Sequence, residues 1–145
     1  MIAASPSPEA SLFSRIGRWL WPLLLLLGCI AVAFMWLVMA LTISRQAGWM
    51  AILAAVDAAW ILRFCSMPRG KLRIAMAILG TMLVIVVTNW SIAAVQIGGQ
   101  FGLYPWEALL RMGPGFAWNL SMLANTPLDL FWQALALVIA WYVAR

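Results

Sequence analysis

GWMAILAAVDAAWILRF, residues 48–64, decides the fold, because it is apolar along most of its length yet has a carboxylate at its middle. A helix rises about 1.5 Å per residue, so this stretch reaches roughly 25 Å and only just crosses a bilayer. An aspartate at the centre of a membrane helix costs about 2.5 to 3.5 kcal/mol on insertion scales. Asp57 is therefore predicted to face a helix interface, within this chain or with a partner.

Small residues gather on one side of the same stretch when it is drawn as a helix: Ala51, Ala55, Ala58 and Ala59, with Ala54 between that side and Asp57. Small side chains let the backbone of a neighbouring helix approach closely. This alanine face is therefore predicted to be a packing surface with a polar group at its border.

The composition predicts an all-α membrane protein built as one polytopic domain. The chain has 145 residues, of which 66% are hydrophobic and 9% charged, and its mean hydropathy is +1.00. Soluble domains are nearer half apolar and a quarter charged. The net charge of +5 does not indicate nucleic-acid binding, because the basic residues lie beside apolar stretches, where they set orientation and meet anionic lipid.

Missing residue types exclude several kinds of chemistry. The sequence contains no histidine, which removes the usual ligands of b-type haem and the commonest zinc and copper ligand. It also removes Ser-His and Cys-His nucleophile pairs. The two cysteines, Cys29 and Cys65, are far apart and form no CxxC motif, so they are interpreted as small apolar residues. We therefore predict no cofactor and no metal site.

Four apolar stretches predict four transmembrane helices within one domain, residues 19–145. An N-terminal segment, residues 1–18, precedes them, and Ser7-Pro8-Glu9 could start a short amphipathic helix there. The four predicted spans cover about residues 19–41, 48–64, 72–97 and 127–144.

The first span resembles a bacterial lipoprotein signal over a short part of the chain. Arg15 and Arg18 precede a leucine run that ends in Leu26-Leu27-Gly28-Cys29, which is similar to a lipobox. Beyond Cys29 the chain stays apolar through Leu41, so cleavage would leave a hydrophobic stub. We therefore predict an uncleaved span.

The distribution of basic residues predicts the orientation in the inner (plasma) membrane. With the N-terminus inside, only Arg45 and Arg111 lie on the outer side. Cytoplasmic loops of membrane proteins have an excess of Lys and Arg, so both termini are predicted to be cytoplasmic. On that cytoplasmic side lie Arg15, Arg18, Arg63, Arg69, Lys71, Arg73 and Arg145.

Residues 98–125 form the one sizeable loop, predicted to be outside the membrane. Residues 105–112 start with Pro and read as a short helix, Gly113-Pro114-Gly115 is expected to break it, and residues 116–123 could form a second. Their aromatic residues are typical of a membrane interface. Thr126-Pro127-Leu128-Asp129 then matches a capping box that starts the fourth span.

Asp57 is the first candidate site, with two interpretations left open. It could carry a proton or cation, or pair with a basic group on another subunit. It could instead be a neutral carboxyl bonded to a backbone carbonyl or to Thr81, because burial disfavours the charged form. Asn89, another intramembrane polar residue, can bond across helices.

Glu107, Arg111 and Asn119 are the second candidate site, in the outer loop. They could bind a ligand or a partner protein at the outer surface. The alternative is a solvated helix face with one local ion pair, because Glu107 and Arg111 lie four residues apart in the favourable order.

Two functional hypotheses follow from these features. The first is a non-catalytic accessory or scaffolding subunit that packs against another integral membrane protein. The second is a small homo-oligomeric transporter or channel that uses Asp57 for proton or cation coupling. A third, an enzyme acting on a lipid-linked substrate through Glu107, Arg111 or Asp129, lacks a recognisable catalytic constellation, so no enzymatic activity is predicted.

Overall fold

A computed structural model of the chain describes the backbone of residues 8–65 and 70–145 and the side chains of residues 20–65 and 70–145. The described residues form helices joined by short connections and contain no strand. The six helices are α1 Pro8–Ile43, α2 Met50–Phe64, α3 Lys71–Phe101, α4 Pro105–Arg111, α5 Pro114–Ala124 and α6 Pro127–Ala144.

Three segments of the described residues are long and apolar enough to cross a membrane: Leu20–Ile43, Lys71–Phe101 and Pro127–Ala144. The predicted second span forms the helix α2, which has 15 residues and starts at Met50 instead of Gly48. Its length of roughly 22 Å is below the approximately 30 Å of a typical hydrocarbon core. An all-helical fold with three candidate membrane helices is thus established.

Two contacts between helix ends fix the directions of the helices. Arg73, near the start of α3, donates from Nε to the carbonyl oxygen of Ala144 at 2.7 Å and from a terminal nitrogen to the main-chain oxygen of Arg145 at 3.1 Å. The amide of Gly48, just before α2, donates to Asp129 in the first turn of α6 at 3.0 Å. It follows that α3 and α6 run in opposite directions, whereas α2 and α6 run in the same direction.

The core of the bundle is built largely from alanine. The predicted alanine face of α2 is confirmed, because all five of its alanines are buried. A second alanine stripe on α6, spaced at four residues, packs towards α2 and α3. Small residues bring these backbones close together, as is typical of membrane helix packing. The stripe on α6 consists of Ala136, Ala140 and Ala144.

The last turns of α3 extend beyond the bundle and support α4 and α5. Since α3 has 31 residues against 18 in α6, its last turns continue past the start of α6. The helix ends at Gly102, whose φ of +64° suits a residue without a β-carbon. A small second core joins the three helices through Ala93, Ala94, Ala108, Met112 and Ala117.

The two short helices predicted between the third and fourth spans are present as α4 and α5. The first ends at Arg111, one residue earlier than expected. The second starts at Pro114, two residues earlier than the predicted start. Pro114 was expected to break the preceding helix, but it also opens the next one, because a proline fits the first turn of a helix, where its missing N–H has no partner anyway.

The first helix runs unbroken from Pro8 to Ile43, through the boundary expected at residue 18. The side chains of residues 8–19 lie outside the described part of the chain, and so does the cap expected at Ser7. The amphipathic character predicted for this segment, and the basic turn at residues 66–69, therefore stay predictions.

Candidate functional site

Asp57 lies at the middle of α2, against Gly28 of α1, which is the glycine of the lipobox-like motif. A β-carbon added at Gly28 would lie 2.8 Å from Oδ2 of Asp57 and still closer to Ile61. Because Gly28 has no side chain, the Asp57 carboxyl can occupy the space beside it. We call this place, formed by Gly28, Asp57 and Ile61, the α1–α2 seam.

The seam lies close to the middle of the bundle along its axis. Gly80 of α3 is packed against Cys29 and Ala58, the residues that follow Gly28 and Asp57 in the sequence. Gly80 is roughly 14 Å along α3 from Lys71, which is about half the thickness of a bilayer core. The Asp57 carboxyl is thus near the middle of the bundle along the helix axes, level with Gly80 of α3.

The described residues provide no hydrogen-bond partner for the Asp57 carboxyl. The hydroxyl of Thr81, which the sequence offered as a partner, donates at 2.8 Å to the carbonyl of Ala77 in its own helix. Asp57 itself is half-buried, so part of it faces out of the bundle. Large apolar side chains one turn away on the same two helices, Leu24, Leu53 and Trp60, are exposed as well.

Asp129 has the opposite surroundings at the start of α6. Its Oδ2 accepts from the amide of Thr126 at 3.1 Å and from the hydroxyl of Thr126 at 2.6 Å, while its own amide donates to that hydroxyl at 3.2 Å. The predicted capping box is therefore confirmed. Its Oδ1 also accepts from the amide of Gly48, which links the α1–α2 connection to α6.

Gly48 permits this link because its backbone lies directly on α6. A β-carbon at Gly48 would lie 2.7 Å from Cα of Asp129 and 2.8 Å from its Oδ1. The nearest atom belongs to the backbone, which cannot rotate away as a side chain can. Glycine is thus required here by the close approach of two chain segments.

Three amide side chains form a row between α3 and α6, at the end of the bundle where α6 begins. Gln133 donates from Nε2 to Oδ1 of Asn125 at 3.0 Å. Asn125 donates from Nδ2 to the carbonyl of Ser121 at 2.7 Å and, over a longer distance of 3.4 Å, to Oδ1 of Asn89. Asn89 and Gln133 are both buried. We call Asn89, Asn125 and Gln133 the amide row.

The amide row forms the polar end of a groove of about 480 Å³. The floor of the groove is α3, and its walls are α5 and α6, which do not pack against each other. Most of its lining is apolar, including Met82, Ile85, Trp118, Leu130 and Leu137.

The predicted outer-loop site is not assembled by the structure. Glu107 and Arg111 lie on α4, while Asn119 lies exposed on α5. Within the described residues none of the three forms an ion pair or hydrogen bond through its side chain, so the expected pair between Glu107 and Arg111 is not made. Asn119 does not line the groove.

Of the intramembrane polar residues predicted, the structure brings only Asn89 into a polar cluster. The sequence reasoning missed its partners Asn125 and Gln133, although their spacing of eight residues, about two helical turns, would align them on one face of a continuous helix. It also missed that Arg73 is buried and bonds the end of α6. A cation at a helix C-terminus is favourable because the last carbonyls carry partial negative charge.

Comparison of the chain with protein-family models, with curated proteins and with solved structures gives no match. The class of protein therefore follows from the fold alone. Several apolar helices, three of them long enough to cross a bilayer, indicate a helical membrane protein.

Proposed function

We propose that the chain crosses the inner membrane four times, with both termini in the cytoplasm. The alternating directions of the helices support this arrangement, because α2 lies between two candidate spans and packs against α1, α3 and α6. A helix as short as α2 is accommodated by local thinning of the bilayer, at a modest cost in free energy. The excess of basic residues on one side gives the orientation.

In this arrangement α4 and α5 lie at the outer interface. The aromatic side chains of Tyr104 and Trp106 stack at 4.7 Å and are exposed, as is Trp118 on α5. Exposed amphipathic rings are typical of the level of the lipid head groups. Reporter fusions test the orientation: alkaline phosphatase should be active when fused within residues 100–125 and inactive when fused at residue 145. The reverse pattern would overturn it.

We further propose that the protein is a non-catalytic accessory subunit whose α1–α2 seam binds a transmembrane helix of another membrane protein. The observation that supports this most is Asp57, a half-buried carboxyl near the middle of the bundle that no described residue hydrogen-bonds. Facing lipid would cost it about 2.5 to 3.5 kcal/mol. A partner helix that donates a hydrogen bond at the same depth removes that cost.

The chemistry of the partner follows from the seam. Its helix presents an apolar surface to Leu53 and Trp60 and a small residue opposite the carboxyl, so that the two backbones come close. The group that meets Asp57 is a hydrogen-bond donor or a basic side chain. The remaining exposed apolar surface of the bundle then faces lipid.

The same observation also favours a second candidate, a homo-oligomeric transporter or channel. If copies of the chain associate through their seams, Asp57 would line a path between subunits and could carry protons or cations. Purification in mild detergent separates the two candidates. A different protein present in fixed proportion supports the accessory subunit, whereas a pure homo-oligomer supports the transporter.

Cysteine cross-linking tests the interface directly. In a variant whose native Cys29 and Cys65 are replaced by serine or alanine, Leu53→Cys and Trp60→Cys place probes on the seam. Val138→Cys is the matched control, because Val138 is at least as exposed as Leu53 and Trp60 but lies on α6. We expect a reagent with one thiol-reactive end and one photoreactive end, used in native membranes, to capture the partner from the seam positions only. Equal capture from Val138→Cys, or capture from none, would refute the seam as an interface.

A further inference from the structure

The groove between α3, α5 and α6 has a polar end and an apolar body. The polar end is the amide row, in which Asn89 and Gln133 are both more than nine-tenths buried. None of the described residues that line the groove is charged. A ligand that matches this surface has a long apolar part and an uncharged polar group where it meets the amides.

The amide row leaves hydrogen-bonding atoms without partners among the described residues. Nδ2 of Asn89 donates to none of them, and Oε1 of Gln133 accepts from none. The hydroxyl of Ser121, which also lines the groove, is likewise unpaired in this part of the chain. An unpaired polar group in an apolar site costs about 1 to 3 kcal/mol, so these atoms indicate a ligand that bonds them.

The depth of the row suits the ester group of a lipid, if the four-span arrangement proposed above is correct. Asn89 lies roughly 27 Å along α3 from Lys71, close to the full thickness of about 30 Å of a hydrocarbon core. The amides are then at the outer edge of the core, where acyl esters lie. Met82 and Leu137, in the apolar body, lie deeper, beside the acyl chains.

The size of the groove is compatible with one lipid chain. Its volume of about 480 Å³ is within the usual range for small-ligand sites, about 300 to 1,000 Å³. The α6 residues that line it, from Leu130 to Leu137, cover roughly 10 Å along the helix axis.

We propose that this groove binds one phospholipid of the outer leaflet, with an acyl chain along α3 and α6 and an ester carbonyl that accepts hydrogen bonds from Asn89 and Ser121. The head group lies outside the groove, beyond the amide row. The site is separate from the α1–α2 seam, which is made by other helices.

A bulky side chain inside the groove tests the proposal. Ala134 lines the groove and is exposed, so Ala134→Trp fills the space without entering the bundle core. Val138→Trp is the matched control, because Val138 is exposed one turn further along α6 and does not line the groove. The full-length protein is purified from vesicles of phosphatidylethanolamine and phosphatidylglycerol, and bound lipid is counted by native mass spectrometry.

We expect one phospholipid to remain on the wild-type protein and on Val138→Trp, and to be lost from Ala134→Trp. Equal retention by both variants would overturn the proposal, as would a wild-type protein that retains no lipid. Phosphatidylethanolamine with a diazirine in its acyl chain locates the lipid independently. Cross-links on the peptides that contain Met82 or Leu137 support the site, whereas cross-links spread evenly over α1 contradict it.

The Asp57→Asn variant separates this proposal from the proposed function. It leaves the groove intact, so lipid retention should equal that of the wild-type protein even if the partner subunit is lost. A protein helix cross-linked to Met82 or Leu137 in native membranes, in place of lipid, would show that the groove binds the partner and would refute the lipid site.

Discussion

Asp57 and Asp129 are both aspartates of apolar helices, yet their surroundings differ in almost every respect. Asp129 makes four hydrogen bonds, three with Thr126 and one with Gly48, at the end of a helix. Asp57 makes none with the described residues and lies at the centre of a helix, half-buried beside Gly28. Asp129 therefore stabilises the fold of the chain itself, whereas the described residues provide no hydrogen bond to Asp57.

This difference teaches how to interpret a costly polar group in a membrane helix. When the chain itself provides the hydrogen bonds, the group stabilises the fold and needs no other explanation. When the chain provides none, placing the carboxyl at the centre of a membrane helix costs about 2.5 to 3.5 kcal/mol. A partner that donates a hydrogen bond, or protonation of the carboxyl, must then offset this cost. Changes at Asp129 should therefore lower stability. Changes at Asp57 should instead weaken association with a partner and leave stability almost unchanged.

The largest effect on stability is expected for Gly48→Ala. The new β-carbon would lie 2.7 Å from Cα of Asp129, so the start of α2 must move away from α6 and the Gly48 hydrogen bond is lost. We expect a decrease of about 3 kcal/mol in the free energy of unfolding, the upper end for overpacking. The measurement is chemical unfolding in mixed detergent micelles.

Gly28→Ala and Gly80→Ala are the matched controls for this prediction. At Gly28 a β-carbon meets only the ends of the flexible Ile61 and Asp57 side chains, and at Gly80 it meets other atoms at ordinary contact distances of 3.5 to 3.6 Å. Both changes should cost clearly less than Gly48→Ala. An equal loss in all three variants would mean that glycine matters at these sites for packing in general, not for the link to Asp129.

Asp129→Ala should have the next largest effect. It removes the capping box and the acceptor of the Gly48 amide, and loss of a cap alone costs about 0.5 to 2 kcal/mol. We expect a decrease of about 2 kcal/mol, again measured by unfolding in mixed micelles. Asp129→Asn keeps one acceptor oxygen and should cost less. A neutral effect of Asp129→Ala would contradict the role assigned to this carboxylate.

A double-mutant cycle between Gly48 and Asp129 sharpens the comparison. Both single changes break the same contact, so the double variant Gly48→Ala with Asp129→Ala should lose less stability than the sum of the two. Residues in direct contact usually show an interaction of about 0.5 to 3 kcal/mol in such a cycle. Strict additivity would mean that the two residues stabilise the fold independently.

Asp57→Asn should have the smallest effect on stability, below about 0.5 kcal/mol, because it breaks no hydrogen bond within the described residues. Asp57→Leu should insert as well as the wild-type protein or better, since it removes the polar cost. Association is the sensitive readout, and we expect Asp57→Leu to lose the partner in affinity purification. A wild-type complex with both variants would refute the proposed role of this side chain.

The comparison also indicates which features of this chain can be predicted from sequence. The capping box at Asp129 and the alanine face of α2 follow from residues a few positions apart, so local patterns were sufficient. The contact between Gly48 and Asp129 joins residues 81 positions apart, and nothing local marks it. The burial of Asn89 was suggested by its place in an apolar stretch, but its amide partners depend on how α5 returns to α3.

The position of Asp57 was predicted only in part for the same reason. Its place at the middle of α2 follows from its place at the middle of an apolar stretch, and the prediction that it borders a packing face agrees with the seam. Its neighbour Gly28 could not be predicted, because the alignment of α1 with α2 is set by packing along their whole lengths. Thr81 was a reasonable partner by composition, but its hydroxyl bonds its own helix, as hydroxyls in apolar helices commonly do.

The link between Gly48 and Asp129 can form only late in the synthesis of the chain. A ribosome adds about 5 to 20 residues per second, so the 81 positions between the two residues take roughly 4 to 16 s to synthesise. Until then the first two helices lack the contact that fixes the start of α2. The hairpin of α1 and α2 must therefore persist for seconds without this contact, until α6 is synthesised and provides it.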